Sequence, residues 1–282
     1  MKLKRPPKFL STPAGWTGLG ALLITLLVFF WEARLAVIPL AGLTLICLAA
    51  PFFPRFGFYL PIISRGKSGK QAVALTFDDG PDPATTPGLL ALLSKYRAKA
   101  VFFVTGEKAA AHPELIQALI SRGHAVGNHT YTHDHFILLR SSRHLFKEIK
   151  AAQDVLRDLG IVTYVFRPPA GITNPRLPRV LEQLDLYLVN FSCRAFDGGN
   201  RRISGLSRKI LKKIRPDDIV LLHDVRPPKQ ELPDDWLREI EQILAGLEAK
   251  SLTVLPLSEL IGRTVMKVSL GNSPEERPAE QV

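Results

Sequence analysis

Apolar and polar positions follow two different rhythms along this chain. From residue 15 to residue 53 the sequence is almost continuously apolar, and Glu32 and Arg34 are its only charges. The run divides at those charges into residues 15–31 and 35–53, which are 17 and 19 residues long. At roughly 1.5 Å per helical residue they reach about 25 and 28 Å, close to the roughly 30 Å hydrocarbon core of a bilayer. A signal-peptide apolar region is shorter, about 7–15 residues. Trp16, Trp31, Phe52, Phe53 and Tyr59 near the ends suit an interfacial aromatic belt. A buried core hairpin is the alternative, and the near-absence of charge favours a transmembrane helical hairpin over it.

Beyond residue 70 the rhythm changes to short, β-branched apolar runs separated by longer stretches of helical periodicity. Strands are predicted at 72–77, 100–105, 125–127, 164–166, 187–192, 219–222 and 252–255. Helices are predicted at 87–96, 113–122, 141–159, 175–184, 203–214 and 236–247, several with a proline in the first turn, where its missing N–H costs nothing. Such alternation predicts an α/β fold of parallel βαβ units, and seven strands suggest an incomplete or distorted barrel. The expected organisation is a basic N-terminal segment (1–14), a membrane anchor (15–53), a linker (54–70), a catalytic domain (71–262) and a disordered tail (263–282). No internal repeat is present.

The formal charge of +11 raises nucleic acid as a partner, but its distribution argues otherwise. Residues 1–70 hold nine Lys/Arg and one acid, whereas the rest holds 28 Lys/Arg and 25 Asp/Glu. The excess flanks the apolar run, where basic residues serve topology and anionic headgroups. Nucleic acid is therefore not expected as a partner. Cys47 and Cys193 form no disulfide framework.

Three segments bring together metal-ligating and proton-transferring residue types. TFDDGP (76–81) ends an apolar strand in two adjacent carboxylates at a loop. HTYTH (129–133) sets two imidazoles four residues apart, a spacing that reaches one metal from a helical turn or a tight loop. LLHD (221–224) repeats the strand-tip arrangement with one histidine. In a parallel barrel such strand ends share one face. His112, His124, His135 and His144 read instead as structural, supporting or solvated.

Together with RPPAG (167–171) and the region of Asp197, these segments resemble the ordered motifs of the polysaccharide deacetylases, metal-dependent carbohydrate esterases, over residues 71–260. The resemblance implies a distorted seven-stranded (β/α) barrel and removal of N-acetyl groups from amino sugars. It makes Asp79, His129 and His133 the ligands of one divalent ion, zinc by default, with cobalt, manganese or nickel as alternatives. Such an ion activates water and polarises the scissile carbonyl. Asp78 becomes the general base, oriented by Arg167. His223 becomes the general acid, with Asp197 against it and Asp224 as the local alternative partner.

Several positions depart from the family pattern. Ala170 stands where an aromatic residue is usual, Gly198 replaces a usual Trp, and Arg194 replaces a frequent acid. Proton-transfer groups are kept while sugar-stacking surface is lost, which opens room for a bulkier or lipid-linked substrate. Residues 201–215 form a basic amphipathic stretch, read as a solvated helix covering the barrel or as a contact for an anionic membrane surface.

The expected activity is a membrane-anchored, metal-dependent deacetylase of an N-acylated amino sugar in a glycan or lipid-linked sugar. Removal of formyl from a lipid-linked sugar is an alternative, as is a non-catalytic glycan-binding membrane protein. Lys2, Lys4, Arg5 and Lys8 precede the first apolar segment, and Arg55, Arg65, Lys67 and Lys70 follow the second. Positive charge on both flanks favours a hairpin with both ends in the cytoplasm. A single tilted span with an external domain is the competing topology.

Overall fold

The computed structural model describes residues 12–53, 55–134, 136–228 and 233–269. Two helices come first, α1 (Pro13–Trp31) and α2 (Val37–Ala49). Thr12 caps α1, its hydroxyl accepting from Gly15 N at 3.2 Å. The helices pack on each other through the short turn at Ala33–Ala36. Gly15 is the only buried residue of α1, and α2 has none. A core hairpin of a soluble protein would bury one face.

The strands are β1 (Ile62–Ile63), β2 (Ala72–Asp78), β3 (Ala100–Val104), β4 (Ala125–Asn128), β5 (Ile161–Thr163), β6 (Val165–Phe166), β7 (Tyr187–Val189), β8 (Cys193–Arg194), β9 (Ile219–His223), β10 (Thr253–Val254) and β11 (Met266–Val268). Nine of them form one parallel sheet in the order β1-β7-β6-β4-β3-β2-β9-β8, with β10 paired to the start of β2. This curled sheet with helices outside it is the distorted (β/α) barrel expected. The gap between its edges is bridged where Arg65, just beyond β1, pairs with Asp218 at the root of β9.

The connecting helices are α3 (Thr86–Lys95), α4 (Gly106–Ala111), α5 (Pro113–Ser121), α6 (Ser142–Asp158), α7 (Leu177–Gln183), α8 (Leu206–Lys213), α9 (Pro233–Ala249) and α10 (Leu257–Ile261). Strand periodicity divides the core into two layers. Val73, Leu75 and Phe77 of β2 face the helices in one apolar cluster with Trp236, Ile240 and Ile243. Ala72 and Ala74 face inward with Val101, Phe103 and Phe191. The inward set continues as Thr76 and Asp78, so the interior becomes polar toward the C-terminal strand ends.

Residues 263–282, expected to be disordered, begin with ordered chain: β11 pairs antiparallel with β5, Met266 opposite Thr163. At three residues β11 has no long apolar run to announce it, and the half-buried Met266 accepts from Val126 N through its sulfur at 3.1 Å. The remainder from 270 onward lies outside the described residues, as does His135.

Candidate active site

The two adjacent aspartates are set apart by backbone geometry. Asp78 is the last residue of β2 and points inward, while Asp79 takes a left-handed conformation (φ 71°) uncommon for a non-glycine residue. Its carbonyl accepts from Lys108 Nζ at 2.6 Å, and the Gly80 carbonyl accepts from Thr105 N at 3.1 Å. These bonds fix the turn that swings the second carboxylate away from the first.

Arg167 follows β6 and is fully buried. Its guanidinium donates to Asp78 Oδ1 at 2.6 Å, Thr76 Oγ1 at 2.8 Å, and the carbonyls of Val189 and Asn190 at 3.1 and 3.0 Å. It lies 4.0 Å over the Phe103 ring. Burial pulls its pKa down, and the Asp78 charge opposes that. Thr76, two residues before Asp78 and hence on the same strand face, belongs to this network although it was not singled out from sequence.

His129 directly follows β4, and His133 lies on the same tight loop, where Thr130 and His133 have positive φ. The four-residue spacing is thus used by a loop rather than by a helix. His129 Nδ1 sits 2.7 Å from the Arg167 carbonyl. A carbonyl only accepts, so Nδ1 carries the hydrogen and Nε2 of the neutral ring presents a lone pair. That Nε2 is 3.3 Å from Asp79 Oδ1, and His133 Nε2 is 3.1 Å from the same oxygen. Donor atoms of the three residues all lie within 4.8 Å of one another. Converging lone pairs from two imidazoles and a carboxylate repel unless a proton or a cation sits among them, so the set fits a divalent ion. Burial pushes the Asp79 carboxyl up, but bonds to both imidazoles outweigh it and hold it well below the usual range. Burial likewise lowers His129, and the charges of Asp78 and Asp79 more than reverse that.

His223 ends β9, opposite Asp78 in the β2–β9 register. Its Nδ1 is 2.7 Å from Asp197 Oδ2. Burial acts against the imidazolium, but Asp197 first, then Asp79 and Asp78, raise its pKa to about 9. Asp197 is lowered by the same bond in spite of its burial. Asn200 holds this corner, with its backbone N bonded to Asp197 Oδ2 and its side chain to the His223 carbonyl.

Asp224, the alternative partner for His223, is engaged elsewhere. Its carboxylate accepts from the Thr85 and Thr86 hydroxyls at 2.7 and 2.6 Å, and burial pushes it up to about 6. A Cβ at position 80 would come within 2.7 Å of it, which explains glycine there. Of the other histidines, His124 is buried with Nδ1 accepting from Ala100 N, and burial lowers it to about 4. His112 lies 3.4 Å from Glu114, and His144 sits exposed in the first turn of α6.

A curled parallel barrel thus presents, at its strand C-termini, a carboxylate–imidazole cluster able to hold a metal ion. Residues 65–189 match the family described as polysaccharide deacetylase. A chitooligosaccharide deacetylase of Bradyrhizobium sp. (strain ANU 289) is 32% identical over 202 residues, 68% of this chain and 92% of that protein. A peptidoglycan-N-acetylglucosamine deacetylase of Bacillus cereus is 29% identical over 196 residues, 69% of this chain and 90% of that protein. The solved family 4 carbohydrate esterase of Streptomyces lividans, in complex with acetate, is 30% identical with a TM-score of 0.60, covering 69% of this chain and 96% of that one. The chain belongs to the polysaccharide deacetylase family, and it is a hydrolase of the carbohydrate N-deacetylase class.

Proposed function

We propose that the protein is a membrane-anchored, divalent-metal N-deacetylase acting on an N-acetylated amino sugar of a glycan or glycolipid. The observation that carries this reading is the convergence of Asp79, His129 and His133 beside the Asp78–Arg167 and Asp197–His223 pairs on one barrel face.

Asp79 and the Nε2 atoms of His129 and His133 would hold the ion, with zinc the default. When bound, such an ion acidifies water and polarises the acyl carbonyl. Arg167 occupies Asp78 Oδ1 and leaves Oδ2 as the oxygen that takes the proton of the attacking water. His223 lies on the other side of β2 from His129 and His133, because β9 and β4 are on opposite sides of that strand. With Nδ1 engaged by Asp197, its Nε2 is the atom that delivers a proton to the departing amine. The products are acetate and the free amino sugar.

Membrane anchoring is supported by the outward-facing apolar side chains of α1 and α2, with Leu27 72% and Phe30 79% exposed. Both ends of the pair return to the same place: Ala14 N donates to the Phe58 carbonyl at 3.0 Å, and the Tyr59 hydroxyl to the Cys47 carbonyl at 2.6 Å. That favours a hairpin over a single tilted span, and the basic flanks support a cytoplasmic side for both of its ends. A periplasmic-type phosphatase fused to the C-terminus should be inactive and a fluorescent protein bright; the reverse pattern contradicts this topology.

The activity is tested with full-length protein in neutral detergent, stripped of metal and reloaded with zinc, cobalt, manganese or nickel. Reloaded protein should release acetate from chitooligosaccharides, peptidoglycan fragments or a lipid-linked N-acetyl sugar, and metal-free protein should not. Release of formate alone from matched formylated sugars would redirect the reading to a deformylase. Release of no acid at all would favour the glycan-binding alternative.

A further inference from the structure

A cavity of ≈ 890 Å³ opens at the seam of the barrel between β8, the end of α8 and the chain that leaves the hairpin. Its walls are cationic and aromatic. Arg55 donates to the Ser192 carbonyl, and Arg194 stacks at 4.0 Å over Phe196 and 5.2 Å over Phe191. Lys213 Nζ lies 5.4 Å from the same Phe196 ring. Arg65, Lys212 and Arg215 complete the positive lining.

The one lining carboxylate is already engaged. Asp218 pairs with Arg65 at 3.1 Å and accepts from the Ser192 hydroxyl at 2.6 Å and Arg215 N at 2.7 Å. Among the described residues, Arg55, Arg194, Lys212 and Lys213 have no carboxylate within salt-bridge distance. Burial and the nearby Arg55 charge both pull the Arg194 pKa down, against the upward effect of Asp197. Cations that line one cavity without carboxylate partners favour an anion there.

The surroundings point to a lipid as the source of that anion. Phe53 and Phe56, on the wall of the cavity, lie just beyond the end of α2 and are 59% and 47% exposed. Thr173, in the loop after β6, donates to the Pro51 carbonyl at the foot of the hairpin, so the rim of the catalytic face abuts the anchor. Phe136, Leu139 and Phe196, on loops following β4 and β8, are 66%, 79% and 60% exposed. Exposed aromatics and cations beside a span end are the composition of a membrane interface.

We propose that this cavity binds the phosphate group of a membrane lipid. Asp197 directly follows Phe196 in sequence, so a sugar joined to that phosphate would lie near His223. The inference rests on the membrane reading of the hairpin and not on the catalytic assignments, because binding is measured without turnover.

The test uses the full-length protein in neutral detergent micelles, titrated with dioctanoyl phosphatidic acid, inorganic phosphate and dioctanoyl phosphatidylcholine. Phosphatidic acid should bind saturably, at least tenfold more tightly than inorganic phosphate, and phosphatidylcholine should not compete. Arg194→Gln and Lys213→Gln should each weaken binding roughly tenfold, as for loss of one charge-assisted bond, and together roughly a hundredfold. Unchanged unfolding temperatures establish that the variants fold. Should Arg194→Gln fail to fold, Lys213→Gln and Lys212→Gln, at exposed positions, carry the test alone. Equal affinity in the variants overturns the site. Equal binding of inorganic phosphate overturns the lipid source, and equal binding of phosphatidylcholine shows apolar adsorption instead.

Discussion

Two carboxylate–imidazole groups flank Asp78, and they differ in stoichiometry. On the β4 side a single carboxylate, Asp79, faces two imidazoles, and its one oxygen lies 3.1–3.3 Å from both Nε2 atoms. On the β9 side one carboxylate, Asp197, faces one imidazole at 2.7 Å through Nδ1. The first arrangement gathers more lone pairs than protons and suits a cation. The second matches one proton to one pair and suits proton transfer. The same residue types are thus suited to different chemistry according to which ring nitrogen is tied and how many partners share an oxygen.

The comparison is broken most severely by removing a member of the crowded side. His133→Ala should lose both bound metal and turnover, by more than about 10³-fold, since only two of three donors remain. Metal analysis and acetate release check it, and a full metal equivalent in the variant contradicts the ligand set. Asp78→Asn should lower turnover by about 10²–10⁴-fold while retaining metal. Loss of metal there would mean that the two aspartates are not divided as described.

A third substitution probes what holds the two sides in register. Arg167→Met leaves Asp78 and two buried carbonyls without their donor, and truncating one partner of a buried pair costs about 3–5 kcal/mol. Denaturant unfolding should show that loss, whereas a change below about 1 kcal/mol would place Arg167 outside the supporting network.

The smallest effect is expected on the β9 side. Asp197→Asn removes the main influence raising His223, and a general acid works only while protonated. The high-pH limb of the rate profile should therefore move to lower pH, with a turnover loss smaller than for Asp78→Asn. A cation at Asp79 offsets that residue's influence on His223 but leaves that of Asp197 in place. The sign for stability is the same: with the folded pKa at about 9, the stabilisation is complete below the unfolded value of about 6.5 and is lost as pH rises through the folded one. An unmoved limb would make Asp197 a structural residue.

Much of this was legible because strong periodicity and chemistry coincide. The seven expected strands fall on β2, β3, β4, β6, β7, β9 and β10, where β-branched runs end in charged or hydrogen-bonding residues. The strands that escaped, β1, β5, β8 and β11, have two or three residues and no measurable alternation. Helix α4 escaped as well, although Glu107-Lys108-Ala109-Ala110-Ala111 has high helix propensity, because six residues give no period to count. Thr76 was recoverable from its spacing to Asp78. Asn190, Asn200 and Lys108 were not, since their contacts are to backbone carbonyls or carboxylates that only the fold brings near. Asp224 illustrates the opposite failure: adjacency to His223 suggested a partnership, but strand alternation turns it toward Thr85 and Thr86.

The most direct test of the account is a metal titration of activity. Full-length protein is stripped with chelator, dialysed, and reloaded in sub-stoichiometric steps while acetate release from an N-acetylglucosamine oligomer and bound metal are measured on the same samples. Activity should be absent without metal, rise linearly, and break at one equivalent per chain, with the His133→Ala protein flat throughout. Acetate release from metal-free protein, or a break that persists in His133→Ala, would contradict the assignment of Asp79, His129 and His133 as the single metal centre.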